Sequence, residues 1–136
     1  MAYNVEDIAK LLLSWADYDN EPMSNMKLQK MLYYQQGFHL AYFGTPLFED
    51  EVEAWMYGPV VPKIYDKYES FGKSPIPGEA NFDIDMDDET EYKLFWEVYS
   101  VYSQFTATGL MQKTHGEMPW STTKVGKGNV ISKEKM

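Results

Sequence analysis

The segment Asn25–Phe43 constrains the fold most, because it is long enough to be the central helix of a small domain. Ser24 stands before it as an N-cap, and Gly44 follows at the position that favours a left-handed C-cap. The side chains expected on its inner face recur at helical spacing and are Leu28, Met31, Leu32, Gln35, Phe38, His39 and Tyr42. Such a helix is about 28 Å long at about 1.5 Å per residue. We therefore expect it to form the centre of the core.

Shorter helices are predicted on both sides of this one. They cover residues 5–16, 62–71, 89–105 and 108–114. Asn4, Pro62 and Asp88 stand where the first three of these helices begin. The side chains expected to face the core are Ile64, Tyr65, Tyr68 and Phe71 in the second helix and Tyr92, Phe95, Trp96, Tyr99 and Tyr102 in the third. Because the third helix contains a single lysine, its aromatic residues favour core packing over a platform for stacking nucleic-acid bases.

Residues 51–57 alternate polar and apolar side chains and predict a short strand, which the pair Gly58-Pro59 is expected to end. Residues 73–88 contain prolines, a glycine and acids, and predict a surface loop in which residues 81–86 could form a short edge strand. The predicted fold is therefore mainly α: a compact single-domain helical bundle with a small β-strand or hairpin element. One domain is also what 136 residues with 44% hydrophobic side chains can support.

The end of the chain differs from the rest in composition. Residues 121–136 are rich in lysine and glycine, and Val130-Ile131 is their only apolar pair. This composition predicts a basic, flexible C-terminal tail. We accordingly divide the chain into a folded domain over residues 1–120 and a tail over residues 121–136.

The charge balance limits the possible partners. Twelve lysines and no arginine stand against 21 acids, which gives a formal net charge of −9. Nucleic acids and anionic membranes attract Lys-rich and Arg-rich surfaces, so we expect neither as a partner and expect neutral or basic proteins instead. The absence of cysteine excludes disulfides, thiolate metal sites and a catalytic cysteine. With no signal peptide or membrane span in the sequence, a cytoplasmic location is expected.

The acids at residues 83–88 could in principle bind calcium. The segment contains Asp83, Asp85, Asp87 and Asp88, interleaved with apolar residues. An EF-hand loop needs glycine at its sixth position, and counting from Asp83 the sixth residue is Asp88. The pattern therefore predicts a solvated loop and no metal site.

Two further motifs leave alternatives open. His115 with Glu117 could act as a general base, with Ser121 or Thr122 as nucleophile, or His115 could hydrogen-bond a neighbouring helix end while Trp120 closes the core. The second motif, residues 55–62, is a rigid aromatic turn containing two prolines. It is either a structural corner or a presented binding edge, since Trp and Tyr anchor protein interfaces.

Lysines also stand at the start of the predicted central helix. Lys27, Gln29 and Lys30 could capture phosphate there, but no glycine-rich loop precedes Ser24. A solvated helix face is the expected role of these three side chains.

Three blocks of sequence together resemble the Panacea domain of the SocA-like antitoxin family, which is found in bacterial and prophage genomes. The blocks are residues 23–41 with residues 46–48, residues 52–65 and residues 114–120. The residues that carry the resemblance, and that it implies to be structural, are Leu28, Gln29, Lys30, Tyr33, Gly37, Trp55, Gly58, Pro59, His115, Pro119 and Trp120.

The resemblance implies a type II-like antitoxin that neutralises a cognate toxin, encoded by an adjacent gene, through direct protein–protein binding. It implies no catalytic residue, no metal and no cofactor. We place the partner contact, as a hypothesis, at Trp55, Tyr57, Asp83, Asp85, Asp87 and Asp88. Two alternatives remain: an adaptor that delivers a partner to a cellular protease, and an enzyme centred on His115 and Glu117.

Overall fold

The structure is a computed structural model that describes residues 2–86, 88–115, 126 and 129–133, with only the backbone described at 111, 114 and 115. The helices within these residues are α1 (Val5–Tyr18), α2 (Asn25–Phe43), α3 (Pro62–Tyr68), α4 (Glu89–Tyr102) and α5 (Ala107–His115), and a 3-10 turn (Glu69–Phe71) follows α3. The strands are β1 (Val52–Trp55), β2 (Gly58–Val60) and β3 (Val130–Ile131). The prediction of a mainly helical fold with a small β element is confirmed.

The predicted caps begin and end the helices as expected. The Asn4 side chain accepts a hydrogen bond from the amide of Glu6, and Ser24 Oγ accepts one from the amide of Lys27. Gly44 ends α2 with a φ of 74°, in the left-handed region. The bounds predicted for the central helix are therefore those of α2, whereas α1 extends to Tyr18, two residues beyond its predicted end.

The strands form one antiparallel sheet in the order β2-β1-β3. Trp55 pairs with Gly58, so β1 and β2 form a hairpin. The strand predicted over residues 51–57 does end before Gly58-Pro59, but the prediction did not include the second strand, which these two residues begin. Gly58 has a φ of 119°, which side-chain-bearing residues rarely adopt, and this conformation lets the chain reverse direction here.

The third strand corrects the prediction for part of the C-terminal tail. Val130 and Ile131 pair with the outer edge of β1, and the Ile131 side chain is completely buried. These two residues belong to the folded core because their apolar side chains complete the sheet and their backbone satisfies an otherwise open edge. The division of the chain at residue 120 stays a prediction.

Helix α2 is the centre of the core, as predicted. It contacts α1, α3, α4, α5 and β2. The buried apolar side chains of α1 and α2 include Val5, Ile8, Leu11, Leu12, Leu28, Met31 and Leu32. Burial extends around most of the first half of α2 and is lost near its C-terminal end, where Phe38 and Tyr42 are exposed. The prediction that these two residues face the core is therefore wrong.

Two more aromatic residues predicted to be buried are exposed. Phe71 lies in the 3-10 turn, which has 3.0 residues per turn, so it does not continue the inner face of α3. Trp96 is 55% exposed, because its neighbour Phe95 takes the inward position on α4. Trp96 thereby becomes part of the surface.

The segment between the 3-10 turn and α4 is an anchored loop. Ile76 is buried, and its amide donates to the carbonyl of Met23. Gly78 passes directly over α1, since a Cβ at this position would lie 2.4 Å from the carbonyl oxygen of Leu13. Residues 81–86 form no strand.

Candidate functional site

The start of α2 is buried, which overturns the prediction that Lys27, Gln29 and Lys30 form a solvated face. Gln29 Oε1 accepts from the amide of Val61 at 2.8 Å, and Gln29 Nε2 donates to Asn25 Oδ1 at 2.9 Å. Lys27 Nζ donates to the carbonyl of Ser103 at 2.6 Å. Gln29 is buried and Lys27 is partly buried, and each bonds a backbone group of a neighbouring element, which compensates for the loss of water.

Two further glutamines of α2 act in the same way. Gln36 both accepts a hydrogen bond from the segment before β1 and donates one to it. Its Oε1 accepts from the amide of Leu47, and its Nε2 donates to the carbonyl of Phe48. Gln35 Nε2 donates to the carbonyl of Phe95 on α4 at 2.9 Å. The polar positions of α2 therefore connect it to the loops and helices around it.

Lys30 is the exception among these polar residues. Its side chain is 1% exposed, and among the residues that the structure describes no acceptor bonds its ammonium. Burial lowers the pKa of Lys30 to about 8. Leu28 and Tyr33, which belong to the same motif, are also buried, and Gly37 is partly buried. The position of these motif residues inside the domain supports the structural role expected for them.

A polar cluster that the sequence analysis did not predict joins three parts of the chain. His39 Nε2 lies 2.6 Å from Glu91 Oε2, and His39 Nδ1 lies 2.6 Å from the carbonyl of Thr45. Tyr3 donates its hydroxyl to the other oxygen of Glu91. Both ring nitrogens of His39 are thus occupied by protein groups, which makes this a structural cluster and leaves neither nitrogen for a substrate. No local pattern signals it, because His39 and Glu91 are 52 residues apart.

The β1–β2 hairpin presents its turn to solvent. Met56 and Tyr57 are 67% and 57% exposed. Trp55 is held more firmly: its Nε1 donates to Glu53, and its ring packs edge-on against Tyr65 of α3 at 5.0 Å. Of the two aromatic residues proposed to contact a partner, Tyr57 is therefore the more accessible.

The predicted acidic segment is anchored to α4. Asp83 Oδ1 accepts from Tyr92 Oη at 3.0 Å, and Asp88 caps α4 by accepting from the amide of Thr90. Asp85 is exposed. Asp87 lies outside the described residues. The acidic segment and the hairpin are thus attached to different elements, α4 and α3.

A surface groove adjoins the acidic segment, and we call it the α1–α4 groove. It has two compartments, of about 550 Å³ and about 310 Å³. The wider one is lined by Ser14, Trp15, Asp17, Tyr18, Ala80, Asn81, Phe82, Asp83 and Tyr92, and the narrower one by Trp15, Tyr18, Asp19, Tyr92, Trp96 and Tyr99. The sequence analysis did not predict it. The sequence feature that could have indicated it is the presence of several aromatic residues on α1 and α4, more than the core can bury.

The remaining predicted residues cannot be placed. Glu117, Pro119, Trp120, Ser121 and Thr122 lie outside the described residues, as does the side chain of His115. Within the part of the chain that is described, no three potential ligands cluster as a metal site would require. The helices of that same part include none long and apolar enough to cross a bilayer.

Comparisons with known proteins identify relatives of the chain. The sequence pattern of the family described as "Antitoxin SocA-like, Panacea domain" matches residues 28–121. The protein named Antitoxin SocA, from Caulobacter vibrioides (strain NA1000 / CB15N), is 40% identical to the chain over 73 residues. That match covers 54% of this chain and 39% of the relative's length. No solved structure matches the chain significantly.

Proposed function

The chain belongs to the SocA-like family of antitoxins with a Panacea domain, and from this membership we propose that it neutralises a cognate toxin by direct protein–protein binding. The observation that carries the proposal is the 40% identity to a protein named as an antitoxin. The resemblance identified from the sequence is confirmed by the family match.

The surface of the domain supports a role in protein binding. Asp83 lines the α1–α4 groove and accepts a hydrogen bond from Tyr92 of α4, Asp85 and Asp88 are exposed, and Tyr57 is exposed at the hairpin turn. Exposed aromatic side chains supply contact area, and complementary charge speeds encounter and selects partners. We propose that the acidic segment and the hairpin turn contact the toxin.

The net charge of −9 suggests how neutralisation works. A toxin that acts on RNA or on nucleotides needs a basic substrate groove. An acidic domain can occupy such a groove in place of the polyanionic substrate. The proposed mechanism is therefore occlusion of the toxin's substrate site.

Paired expression with the neighbouring gene tests this function. The neighbour is induced alone, with this chain, and with the same chain carrying an early stop codon. We expect growth to stop in the first and third cultures and to continue in the second. A neighbour that is harmless alone, or that stays toxic beside the intact chain, overturns the proposal.

A further inference from the structure

The narrower compartment of the α1–α4 groove is an aromatic box. Its walls are the rings of Trp15, Tyr18, Tyr92, Trp96 and Tyr99, and Asp19 supplies a carboxylate. The Trp15 centroid lies 5.9 Å from that of Tyr92 and 5.3 Å from that of Tyr99, with both pairs edge-on. Tyr18 is 88% exposed and Trp96 is 55% exposed, so two of the five rings stand largely in solvent.

The box lies at the C-terminal end of α1, where acidic side chains add to the partial negative charge of the helix end. The partial negative charge of a helix C-terminus favours cations. Here Asp17, Asp19 and Glu21 stand instead, and the last turn of α1 contains no basic residue. Tyr99 donates its hydroxyl to Asp19 Oδ2 at 2.7 Å, and burial together with this carboxylate raises the pKa of Tyr99. Lys27 lies near enough to Glu21 for their charges to interact, so it offsets part of the negative charge. Asp19 receives a neutral donor from Tyr99 and keeps its negative charge beside the box.

We propose that the aromatic box binds an arginine side chain of a protein partner, an inference that rests on the proposed function and names the chemistry of the contact. A guanidinium stacks on Trp and Tyr faces and pairs with a carboxylate, and a box of five rings beside Asp19 offers both. An apolar side chain would use the rings and gain nothing from the negative charge. Charge complementarity therefore favours a cation as the occupant.

The neighbouring compartment shows the same chemistry within the chain. Lys10 Nζ lies 5.8 Å from the centroid of Phe82, whose ring lines the wider compartment. One aromatic wall of the α1–α4 groove thus already has a cation from the protein itself. Among the residues that the structure describes, none of the six that line the aromatic box is basic.

A peptide titration tests the box without the toxin. The probe is an acetylated, amidated peptide of alternating glycine and arginine with four arginines, and the control peptide has citrulline at each arginine. Binding is followed through the indole N–H signals of Trp15 and Trp96 in a nitrogen-15 NMR spectrum. We expect saturable shifts of both signals with the arginine peptide and at least fivefold weaker binding of the citrulline peptide. Equal affinity for the two peptides, or no saturable shift, overturns the proposal.

Variants separate the box from general charge attraction. Trp96→Ala removes one exposed wall, and Asp19→Asn removes the charge while keeping an acceptor for Tyr99. Matched controls are Phe38→Ala, an exposed aromatic residue outside the groove, and Asp66→Asn, an exposed carboxylate on α3. We expect each box variant to weaken arginine-peptide binding at least fivefold and each control to leave it unchanged. Equal losses in box and control variants overturn the proposal.

The result can be distinguished from failure of the proposed function. If the chain protects cells from its toxin while the peptide titration fails, neutralisation stands and the box is rejected. If Trp96→Ala loses peptide binding but binds the toxin with wild-type affinity, the box is not the toxin contact and the inference is again overturned. We expect Trp96→Ala to weaken the toxin complex at least tenfold.

Discussion

His39 Nε2 lies 2.6 Å from Glu91 Oε2, and this contact joins the C-terminal part of α2 to the first turn of α4. The Glu91 carboxylate is shared, because Tyr3 donates to its second oxygen. The three groups lie on the N-terminal segment, α2 and α4. Their mutual hydrogen bonds therefore hold together parts of the chain that are distant in sequence.

Removing this carboxylate should destabilise the domain. Glu91→Ala removes the carboxylate that accepts from the hydroxyl of Tyr3 and contacts Nε2 of His39 in a largely buried site. We expect the free energy of unfolding to fall by about 2 kcal/mol in urea denaturation. The matched control is Glu97→Ala, an exposed position on the same helix. Equal stabilities of the two variants would show that the cluster contributes nothing.

The pH dependence of stability should report on Lys30. Its pKa is about 8 in the folded protein against 10.5 in the unfolded chain, so the unfolded chain binds more protons between these values. Stability contributed by this residue therefore rises with pH, by about 2 kcal/mol between pH 7 and 9.5. Above pH 10 the raised pKa values of Tyr68, Tyr92 and Tyr99 act in the opposite direction, because the unfolded tyrosines ionise first.

Substitution of Lys30 separates its effect from that of other groups. Lys30→Met keeps the size of the side chain and removes the buried charge. We expect it to raise the free energy of unfolding at pH 7 by about 2 kcal/mol and to abolish the rise toward pH 9.5. Lys73→Met, at an exposed position, should keep the wild-type pH profile. A Lys30→Met variant with the wild-type profile would contradict the assignment.

The third strand should contribute to stability although it lies near the end of the chain. Ile131→Ala opens a cavity in the core, with an expected loss of 2–4 kcal/mol, roughly. Val130→Ala, at its 40% exposed neighbour, should cost much less. Thermal or urea denaturation of the two variants measures this difference. Equal and small effects of the two substitutions would contradict the assignment of this segment to the core.

Charge reversal in the acidic segment should weaken toxin binding. Asp85→Lys changes an exposed carboxylate two residues along the chain from Asp83, which lines the groove, and removes no hydrogen bond among the described residues. We expect a slower association rate and a Kd at least fivefold higher at low salt, measured by surface plasmon resonance. Asp66→Lys on α3 makes the same change in net charge at another exposed position. Equal effects of the two reversals would remove Asp85 from the proposed contact.

The elements that could be predicted from sequence are those determined locally. Ser24 and Gly44 act on backbone groups within a few residues, so the bounds of α2 follow from the residues at its ends. The second and third strands could not be predicted in this way. Glu53 pairs with Val130, which is far away in sequence, and no short pattern specifies that pairing. Its pairing with Val60 is local, but Gly58-Pro59 between them is typical of a turn and not of a strand.

Whether a polar or aromatic side chain is buried or exposed was harder to predict from the sequence. Lys30 and Gln29 are polar and therefore expected at the surface, yet both are buried because α2 is surrounded over its first half. Trp96 is aromatic and therefore expected in the core, yet it lies beside Trp15 on the groove. In each case the exposure of the side chain depends on how closely neighbouring elements surround it, which the residue type alone does not specify.

Neutralisation of the toxin by direct binding is tested by a titration with purified components. The toxin's activity is measured against increasing amounts of this chain in the absence of any protease. We expect activity to fall in proportion to added chain and to be abolished at the stoichiometry of the complex. Full toxin activity at saturating chain, with the toxin degraded only when a cellular protease is added, would contradict direct neutralisation and favour the adaptor alternative.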